Sequence, residues 1–242
     1  DVVASSEDKK FGYIPKNFQV GNEYDYLHIT SNNTIYGTQY KTFPKVNVPL
    51  VCDMSSDIFS RKIDAKQFSL IYAGAQKNMG PAGATMIMIR KDFLEKSKTG
   101  LLTMLDYKTH IKAGSMFNTP PVFPVYVVML TLRWLKKIGG VSAIEKINEE
   151  KARLLYAEID RNSMFEGTVI AKEDRSNMNV CFRLKNEALE PEFDKLWKEA
   201  NISGIRGHRD VGGYRASLYN ALPIESVKVL IEVMQEFERK FA

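Results

Sequence analysis

The stretch VPLVCDMSSDIFSRKIDAKQFSLIYAGAQK, residues 48–77, decides the fold, because it contains two apolar runs joined by a polar connection. The runs 48–53 and 68–75 are nearly continuous in hydrophobicity, a pattern typical of strands covered on both faces in a parallel sheet. Asp53 closes the first run and Lys77 follows the second. Open α/β sheets bind ligands at the carboxyl ends of their strands. The sequence therefore predicts that Asp53 and Lys77 lie at the same ligand-binding edge.

The rest of the chain predicts two units of α/β and α+β type. Further strands are predicted over 24–30 and 84–89, and helices over 125–138 and 142–160, on either side of Gly139-Gly140. The C-terminal part predicts strands over 168–171, 179–184, 202–205 and 214–218, and helices over 192–200 and 224–241. We expect a large domain over 1–140 and a small domain over 141–242.

Composition excludes several classes of protein. The 242 residues are 44% hydrophobic and carry a net charge of +5 that is scattered along the chain, so disorder and nucleic-acid binding are not expected. The longest apolar runs are too short and proline-broken to span a membrane. Cys52 and Cys181 lie in apolar runs, as buried thiols of a cytoplasmic protein do. With three histidines and no HExxH motif, no metal site is expected, and His28 is expected to be packed in its strand.

A carboxylate and an amine at one sheet edge form the pair that a pyridoxal phosphate enzyme needs. The amine of Lys77 would bond to the cofactor aldehyde, and the carboxylate of Asp53 would keep the pyridine nitrogen protonated. The spacing alone also allows a solvated lysine and an aspartate that merely begins a turn or caps a helix. A compact cationic cluster, Arg206-Gly207-His208-Arg209 with Arg215, suits small anionic substrates, or a basic loop that attracts anions loosely.

Four segments, in order and at matching spacings, resemble the phosphoserine aminotransferase family. They are CDMSSD at 52–57, YAGAQKNMGPAG at 72–83, FNTPP at 117–121 and GHRDVGGYRASLYNA at 207–221. The resemblance extends over essentially the whole chain. It implies a fold-type-I pyridoxal phosphate-dependent transferase, with a partial large domain built on a mostly parallel sheet and a C-terminal α+β small domain. It also implies the conversion of 3-phosphohydroxypyruvate and glutamate to phosphoserine and 2-oxoglutarate, a step of serine biosynthesis.

The resemblance further implies roles for individual residues. Lys77 is similar to the Schiff-base lysine and Asp53 to the partner of the pyridine nitrogen. Gln76 and Thr34 resemble residues that contact the cofactor. Asn118 and Thr119 resemble a pair that reaches the cofactor phosphate of the neighbouring subunit, so a homodimer with a shared active site is implied. The remaining matches are substrate binders, the phosphate contacts His208 and Arg209 and the α-carboxylate clamp Arg215.

The family sequence also has residues before the point that corresponds to Asp1, including a glycine-rich turn for the cofactor phosphate and an aromatic residue that stacks on the ring. The opening DVVASS resembles the middle of a larger protein, so we expect an incomplete large domain and weak cofactor binding by this chain alone. Two other readings stay open. Another fold-type-I enzyme, such as an alanine–glyoxylate aminotransferase or a cysteine desulfurase, would share Asp53 and Lys77 but lack the basic cluster. The chain alone could also be an inactive fragment.

Overall fold

The N-terminal part of the chain forms a four-stranded sheet in the computed structural model, which describes residues 1–209 and 211–242. Its strands are β1 (Leu27–Thr30), β2 (Leu50–Asp53), β3 (Leu70–Gly74) and β4 (Thr85–Ile89), in that spatial order. The first three strands are parallel, and β4 is antiparallel to β3. The predicted mostly parallel sheet is therefore confirmed, and all four strands lie within the predicted ranges.

Only one face of this sheet is fully covered within the described residues. The alternation in β1 buries Leu27 and Ile29 and exposes His28 and Thr30. The buried face packs on the turn after β2 and on the loop after β3, through Met54, Ile58 and Met79. Parallel register places Thr30, Asp53 and Tyr72 side by side where the strands end. Successive side chains of a strand alternate between its faces, so these three residues share the more open face.

The C-terminal part forms an antiparallel sheet covered by helices. The strands β5 (Phe165–Gly167), β6 (Asn179–Leu184) and β7 (Tyr214–Ser217) lie in that order. Around them pack three helices, which the structure bounds at Val141–Arg161, Glu190–Glu199 and Ile224–Phe241. The core is aromatic, and Phe165, Phe182 and Phe193 are each at most 1% exposed. This hydrophobic cluster is separate from the cluster of the first sheet.

Three further helices connect the two units, namely α1 (Lys91–Glu95), α2 (Tyr107–Lys112) and α3 (Val122–Lys137). The helices of the C-terminal unit are therefore numbered α4 (Val141–Arg161), α5 (Glu190–Glu199) and α6 (Ile224–Phe241). Gly139 and Gly140 adopt φ of 108° and 73°, a conformation that favours glycine, and they end α3 as expected. The start of α3 lies earlier than predicted, since Pro124 is tolerated in a first helical turn, where its missing N–H has no helical partner. The division into domains at residue 140 stays a prediction.

Two predicted strands are wrong. The strand expected over 168–171 lies instead at Phe165–Gly167, where it pairs with β6. Backbone N–H groups of Ile170 and Ala171 donate to Gly12 O, so the N-terminal segment takes the hydrogen bonds that a strand neighbour would have taken. No strand forms over 202–205. Asn201 and Gly204, at φ of 58° and 71°, interrupt the extended backbone there, and only a single bridge joins Arg206 to Tyr214.

The prediction that both cysteines are buried thiols is confirmed, since Cys52 and Cys181 are buried and form no disulfide. Among the described residues, none of the helices combines the length and the apolar character that crossing a membrane requires.

Candidate active site

Asp53 and Lys77 lie at the carboxyl ends of two neighbouring parallel strands. Asp53 is the last residue of β2, and Lys77 follows the end of β3 at Gly74. The Asp53 carboxylate accepts a hydrogen bond from Ser55 N at 2.8 Å. The Ser55 hydroxyl in turn accepts one from Gly74 N at 3.0 Å, which ties the loop after β2 to the end of β3. The structure thus places both residues at the edge that the sequence predicted.

The Lys77 amine has an environment that favours its neutral form. Partial burial lowers the pKa of Lys77, the Asp53 carboxylate opposes that change, and the Arg215 guanidinium lowers the pKa further. A neutral amine has a free lone pair and can attack a carbonyl carbon, whereas an ammonium ion cannot. Lys77, Asp53 and Arg215 therefore form one electrostatically connected group.

Thr34 lies beside Arg215 in a turn that the sequence encodes locally. The Asn33 side chain accepts hydrogen bonds from Ile35 N and Tyr36 N at 3.0 and 3.2 Å, a common turn arrangement for asparagine. Arg215 Nη1 donates to Thr34 O at 3.1 Å. Arg215 Nε is buried and has no hydrogen-bond partner within the described part of the chain. One donor of this guanidinium is therefore left for a ligand.

Gln76 is exposed beside Lys77 and folds back over the end of β3. A Cβ atom added at Gly74 would lie 2.4 Å from Gln76 Oε1, so a larger residue there would displace the end of this flexible side chain. The glycine at this strand end thus allows the Gln76 side chain to remain close to the Lys77 loop.

The basic cluster divides into two parts. Arg206 Nη2 lies 2.6 Å from Asp194 Oδ2, and Arg206 also pairs with Glu190, so its charge is used within the fold. His208 and Arg209 line a cleft of about 990 Å³ together with Tyr36 and Arg183. Lys77 and Arg215 are not among the described residues that line it. Asp210, the next residue in the sequence, lies outside the described residues.

Asn118 and Thr119 lie in the exposed segment that leads into α3. Both are exposed, and Asn118 Nδ2 donates to Thr119 O at 3.2 Å. They belong to a segment with several exposed apolar side chains, among them Phe117 and Phe123 at 47% and 70% exposure. Within the described residues, the one side-chain hydrogen bond of this pair joins its two members, and none joins the pair to Lys77.

His28 and Tyr72 were not predicted as part of this site. The expectation that His28 is packed is wrong, because it lies on the exposed side of β1. Its Nε2 atom is 3.0 Å from the Tyr72 hydroxyl. Burial raises the pKa of Tyr72, and the neighbouring Asp53 carboxylate raises it further. The alternation of side chains along β1 and β2 is the signal that could have predicted His28 as a neighbour of Asp53. Once the register of the two strands is known, both residues lie on the same face of the sheet.

The sequence and the fold of this chain are both similar to those of known proteins. The family described as aminotransferase class-V matches residues 10–230. A phosphoserine aminotransferase from Flavobacterium psychrophilum is 61% identical over 99% of this chain and 67% of its own length. The solved phosphoserine aminotransferase from Bacillus circulans subsp. alkalophilus is 45% identical, with a TM-score of 0.96 over 100% of this chain and 68% of that one.

A pyridoxal phosphate-bound phosphoserine aminotransferase from Trichomonas vaginalis is 36% identical, with a TM-score of 0.85 over 90% of this chain and 62% of that chain. The chain spans about two thirds of the length of its curated relatives, since it covers 67% of the Flavobacterium protein. The expected fold-type-I architecture is confirmed by these structural matches. The chain therefore belongs to the class-V aminotransferases and, within them, to the phosphoserine aminotransferase family.

Proposed function

We propose that the protein is a pyridoxal phosphate-dependent aminotransferase that interconverts 3-phosphohydroxypyruvate plus glutamate and phosphoserine plus 2-oxoglutarate. The observation that supports this most is the pair formed by Lys77 and Asp53 at one sheet edge, together with Arg215 of β7, in which burial and the arginine lower the pKa of the lysine. Relatives at 61% and 58% identity carry the name of this activity.

The residues present fit the cofactor. Pyridoxal phosphate, when bound, supplies an aldehyde for covalent attachment and a ring that accepts electrons from the substrate. Lys77 would provide the amine for that attachment and would later move the proton at the substrate α-carbon. Asp53 would hold a proton on the ring nitrogen, since a carboxylate favours a nearby positive charge. Gln76 and Thr34 would contact the cofactor and orient it.

Substrate recognition would use two separate groups. Arg215 would bind the α-carboxylate that phosphoserine and glutamate share, because a guanidinium can form paired hydrogen bonds to a carboxylate. Its unpartnered Nε is available for such a contact. His208 and Arg209 would bind the substrate phosphate, since they line a cleft large enough for a small anion. A substrate bound by both groups would have to reach from Arg215 to this cleft, which neither Lys77 nor Arg215 lines among the described residues.

A homodimer would complete the site. Asn118 and Thr119 are exposed and lie in an apolar segment, where a second copy of the chain would cover them. The pair could then contact the cofactor phosphate of the partner. Free, buried cysteines agree with a cytoplasmic location, where thiols stay reduced.

The test is made on a form of the protein as long as its relatives, and it is amino transfer from phosphoserine to 2-oxoglutarate, measured as glutamate formed, with alanine as the competing donor. We expect transfer from phosphoserine and little from alanine. Borohydride reduction with pyridoxal phosphate present should label the peptide that contains Lys77. Label on Lys91 or Lys96 instead, or transfer from alanine alone, would contradict the proposal.

A further inference from the structure

Three buried asparagines from distant parts of the chain are joined by hydrogen bonds. Asn78 follows Lys77, Asn148 lies on α4, and Asn220 follows β7, and they are 5%, 1% and 4% exposed. Asn148 Nδ2 donates to Asn220 Oδ1 at 2.9 Å, and Asn220 N donates to Asn78 Oδ1 at 3.0 Å. We call these three residues the asparagine clasp. They connect the helix and loop of the C-terminal unit to the Lys77 loop.

The asparagine clasp also binds the turn that follows β2. The side-chain amides of Asn78, Asn220 and Asn148 donate, in that order, to three successive backbone carbonyls, those of Ile58, Phe59 and Ser60, each at 3.1 Å. Phe59 adopts φ of 57°, which is unfavourable for a residue with a side chain. Such a conformation persists only where surrounding contacts determine it. The clasp supplies those contacts.

This turn belongs to the same segment as Asp53. Ile58 N donates to Met54 O, so the turn begins immediately after the strand end that carries the carboxylate. The clasp therefore holds the segment after Asp53 on one side and the residue after Lys77 on the other. A buried amide left without its partner costs about 1–3 kcal/mol, so a shift of one segment alone is unfavourable.

Lys151 also fixes the loop that carries Asn220. It lies one turn after Asn148 on α4, is 0% exposed, and donates from Nζ to the carbonyls of Leu218, Tyr219 and Leu222 at 3.0–3.1 Å. All three N–H groups of a protonated amine are thus used on one loop. The position of Asn220 is set by α4 at two places.

From this geometry we propose that the asparagine clasp is a positioning device that sets Lys77 relative to Asp53 and thereby aligns the amine for reaction. The proposal rests on the proposed function of Lys77. It assigns to Asn78, Asn148 and Asn220 no contact with cofactor or substrate. Displacement of reacting groups by about 1 Å costs on the order of a hundredfold in rate, so a small movement of the loop is sufficient.

The first measurement follows the Lys77 amine itself. In the full chain, with any cofactor removed, the pH dependence of Lys77 acetylation is read by mass spectrometry for the wild type, Asn148→Ala and Asn220→Ala. Partial burial lowers the pKa of Lys77 in the intact structure. We expect the acetylation midpoint of both variants to shift up towards the ordinary lysine value, because a released loop exposes the amine.

Asn162→Ala is the matched control. Asn162 is 2% exposed and its amide donates to Glu158 Oε1 and Met234 O, in the C-terminal unit. This variant should lose thermal stability as the clasp variants do, but its Lys77 midpoint should stay at the wild-type value. If Asn220→Ala does not fold, Asn148→Ala alone decides the question, since it removes only the donors to Ser60 and Asn220.

The second measurement is turnover with phosphoserine, in a form of the protein as long as its relatives. The clasp variants should lose about tenfold to a hundredfold in kcat with little change in KM. The proposal would be overturned if the clasp variants had the same Lys77 acetylation midpoints and the same kcat values as Asn162→Ala. If the wild type transfers no amino group, the proposed function fails, while the acetylation midpoints still decide whether the clasp positions Lys77.

Discussion

At the residue scale, Asp53 and Asp57 are two carboxylates in one segment with different tasks. Asp53 is half-buried and accepts one backbone hydrogen bond, from Ser55 N. Asp57 is 4% exposed and accepts hydrogen bonds from Ser31 Oγ, Gln39 Nε2 and Arg61 Nη2. The first carboxylate leaves acceptor capacity free for a ligand, whereas the second is used within the fold.

Substitution should separate these tasks. In Asp53→Asn the amide oxygen can still accept from Ser55 N, so we expect a folded protein with turnover lower by orders of magnitude, because an amide does not hold the ring proton electrostatically. Asp57→Asn removes the negative partner of Arg61, whose side chain is 12% exposed. A largely buried arginine without its partner should cost about 3 kcal/mol of stability. Thermal unfolding and turnover are measured for both. An Asp53→Asn enzyme with near-normal turnover contradicts the proposed role.

Lys151 should make stability depend on alkaline pH. Burial lowers the pKa of Lys151 from 10.5 to about 8 in the folded state. Between these two values the unfolded chain binds the proton and the folded chain releases it, so this group's contribution to the unfolding free energy rises with pH. Below about pH 8 both states are protonated, and the contribution does not change.

The measurement is the unfolding free energy of the wild type minus that of Lys151→Met, from urea titrations at several pH values. This difference removes the other titrating groups, including Lys41, whose pKa is also lowered to about 8, mainly by burial. We expect the difference to be flat below pH 8 and to rise by a few kcal/mol towards the ordinary pKa, since each pKa unit corresponds to ~1.4 kcal/mol. A falling or constant difference would show that the pKa of Lys151 is not lowered.

At the element scale, the loop before β7 and the strand itself should recognise different parts of the substrate. Arg215 lies in β7 against Thr34, whereas His208 and Arg209 lie in the preceding loop and line the cleft. Arg215→Ala should weaken both phosphoserine and glutamate, which share the α-carboxylate. Each lost charge-assisted contact costs about 1.5–3 kcal/mol, or roughly tenfold to a hundredfold in kcat/KM.

His208→Ala and Arg209→Ala should affect phosphoserine more than glutamate, because only phosphoserine carries a phosphate dianion. The values of kcat/KM for both amino donors are compared across the three variants. Equal losses for both donors in His208→Ala and Arg209→Ala would show that the loop does not form a phosphate pocket.

The elements differ in how far the sequence predicted them. Helix α6 and strands β2 and β3 were predicted because each has a strong hydrophobic pattern over its own length. Strand β5 was placed three residues too late, because the groups that decide its position are remote in sequence: β6 pairs with it, and Gly12 O binds the backbone of Ile170 and Ala171 instead. Tertiary hydrogen bonds thus decided between two adjacent extended segments.

The site shows the same limit. The end-of-strand positions of Asp53 and Lys77 follow from local pattern and could be predicted. The asparagine clasp could not, because Asn78, Asn148 and Asn220 lie in three separate elements and an isolated asparagine carries no local signal of burial. Only the packing of α4 against both loops brings these residues together.

At the scale of the whole molecule, the segment from residue 101 to the first turn of α3 presents a surface with several exposed apolar side chains. Leu102, Val122 and Phe123 are 75%, 70% and 70% exposed. Contiguous apolar patches mark interaction surfaces in most proteins. Because Asn118 and Thr119 lie in the same segment, the proposed homodimer would bury this surface and deliver the pair to the partner's site in one step.

Subunit mixing tests that arrangement directly. A Lys77→Ala chain keeps its Asn118-Thr119 pair, and an Asn118→Ala/Thr119→Ala chain keeps its Lys77. Neither homodimer has a complete site, but a mixed dimer would have one, in which Lys77 of one subunit meets Asn118 and Thr119 of the other. Both substituted residues are exposed, so the alanine pair should leave folding unchanged.

After the two variants are unfolded and refolded together, we expect turnover well above the mean of the separate variants, approaching about one quarter of the wild-type value, since half of the dimers are mixed and each has one intact site. A parallel mixture of Lys77→Ala with the triple variant Lys77→Ala/Asn118→Ala/Thr119→Ala controls for refolding and should show no gain, because no chain in it carries Lys77. If Asn118 and Thr119 act within their own chain, no mixed dimer contains an intact site, because each chain then lacks either the amine or its own phosphate contacts. Turnover of the mixture would then stay at the mean of the two variants, and the shared site would have to be abandoned.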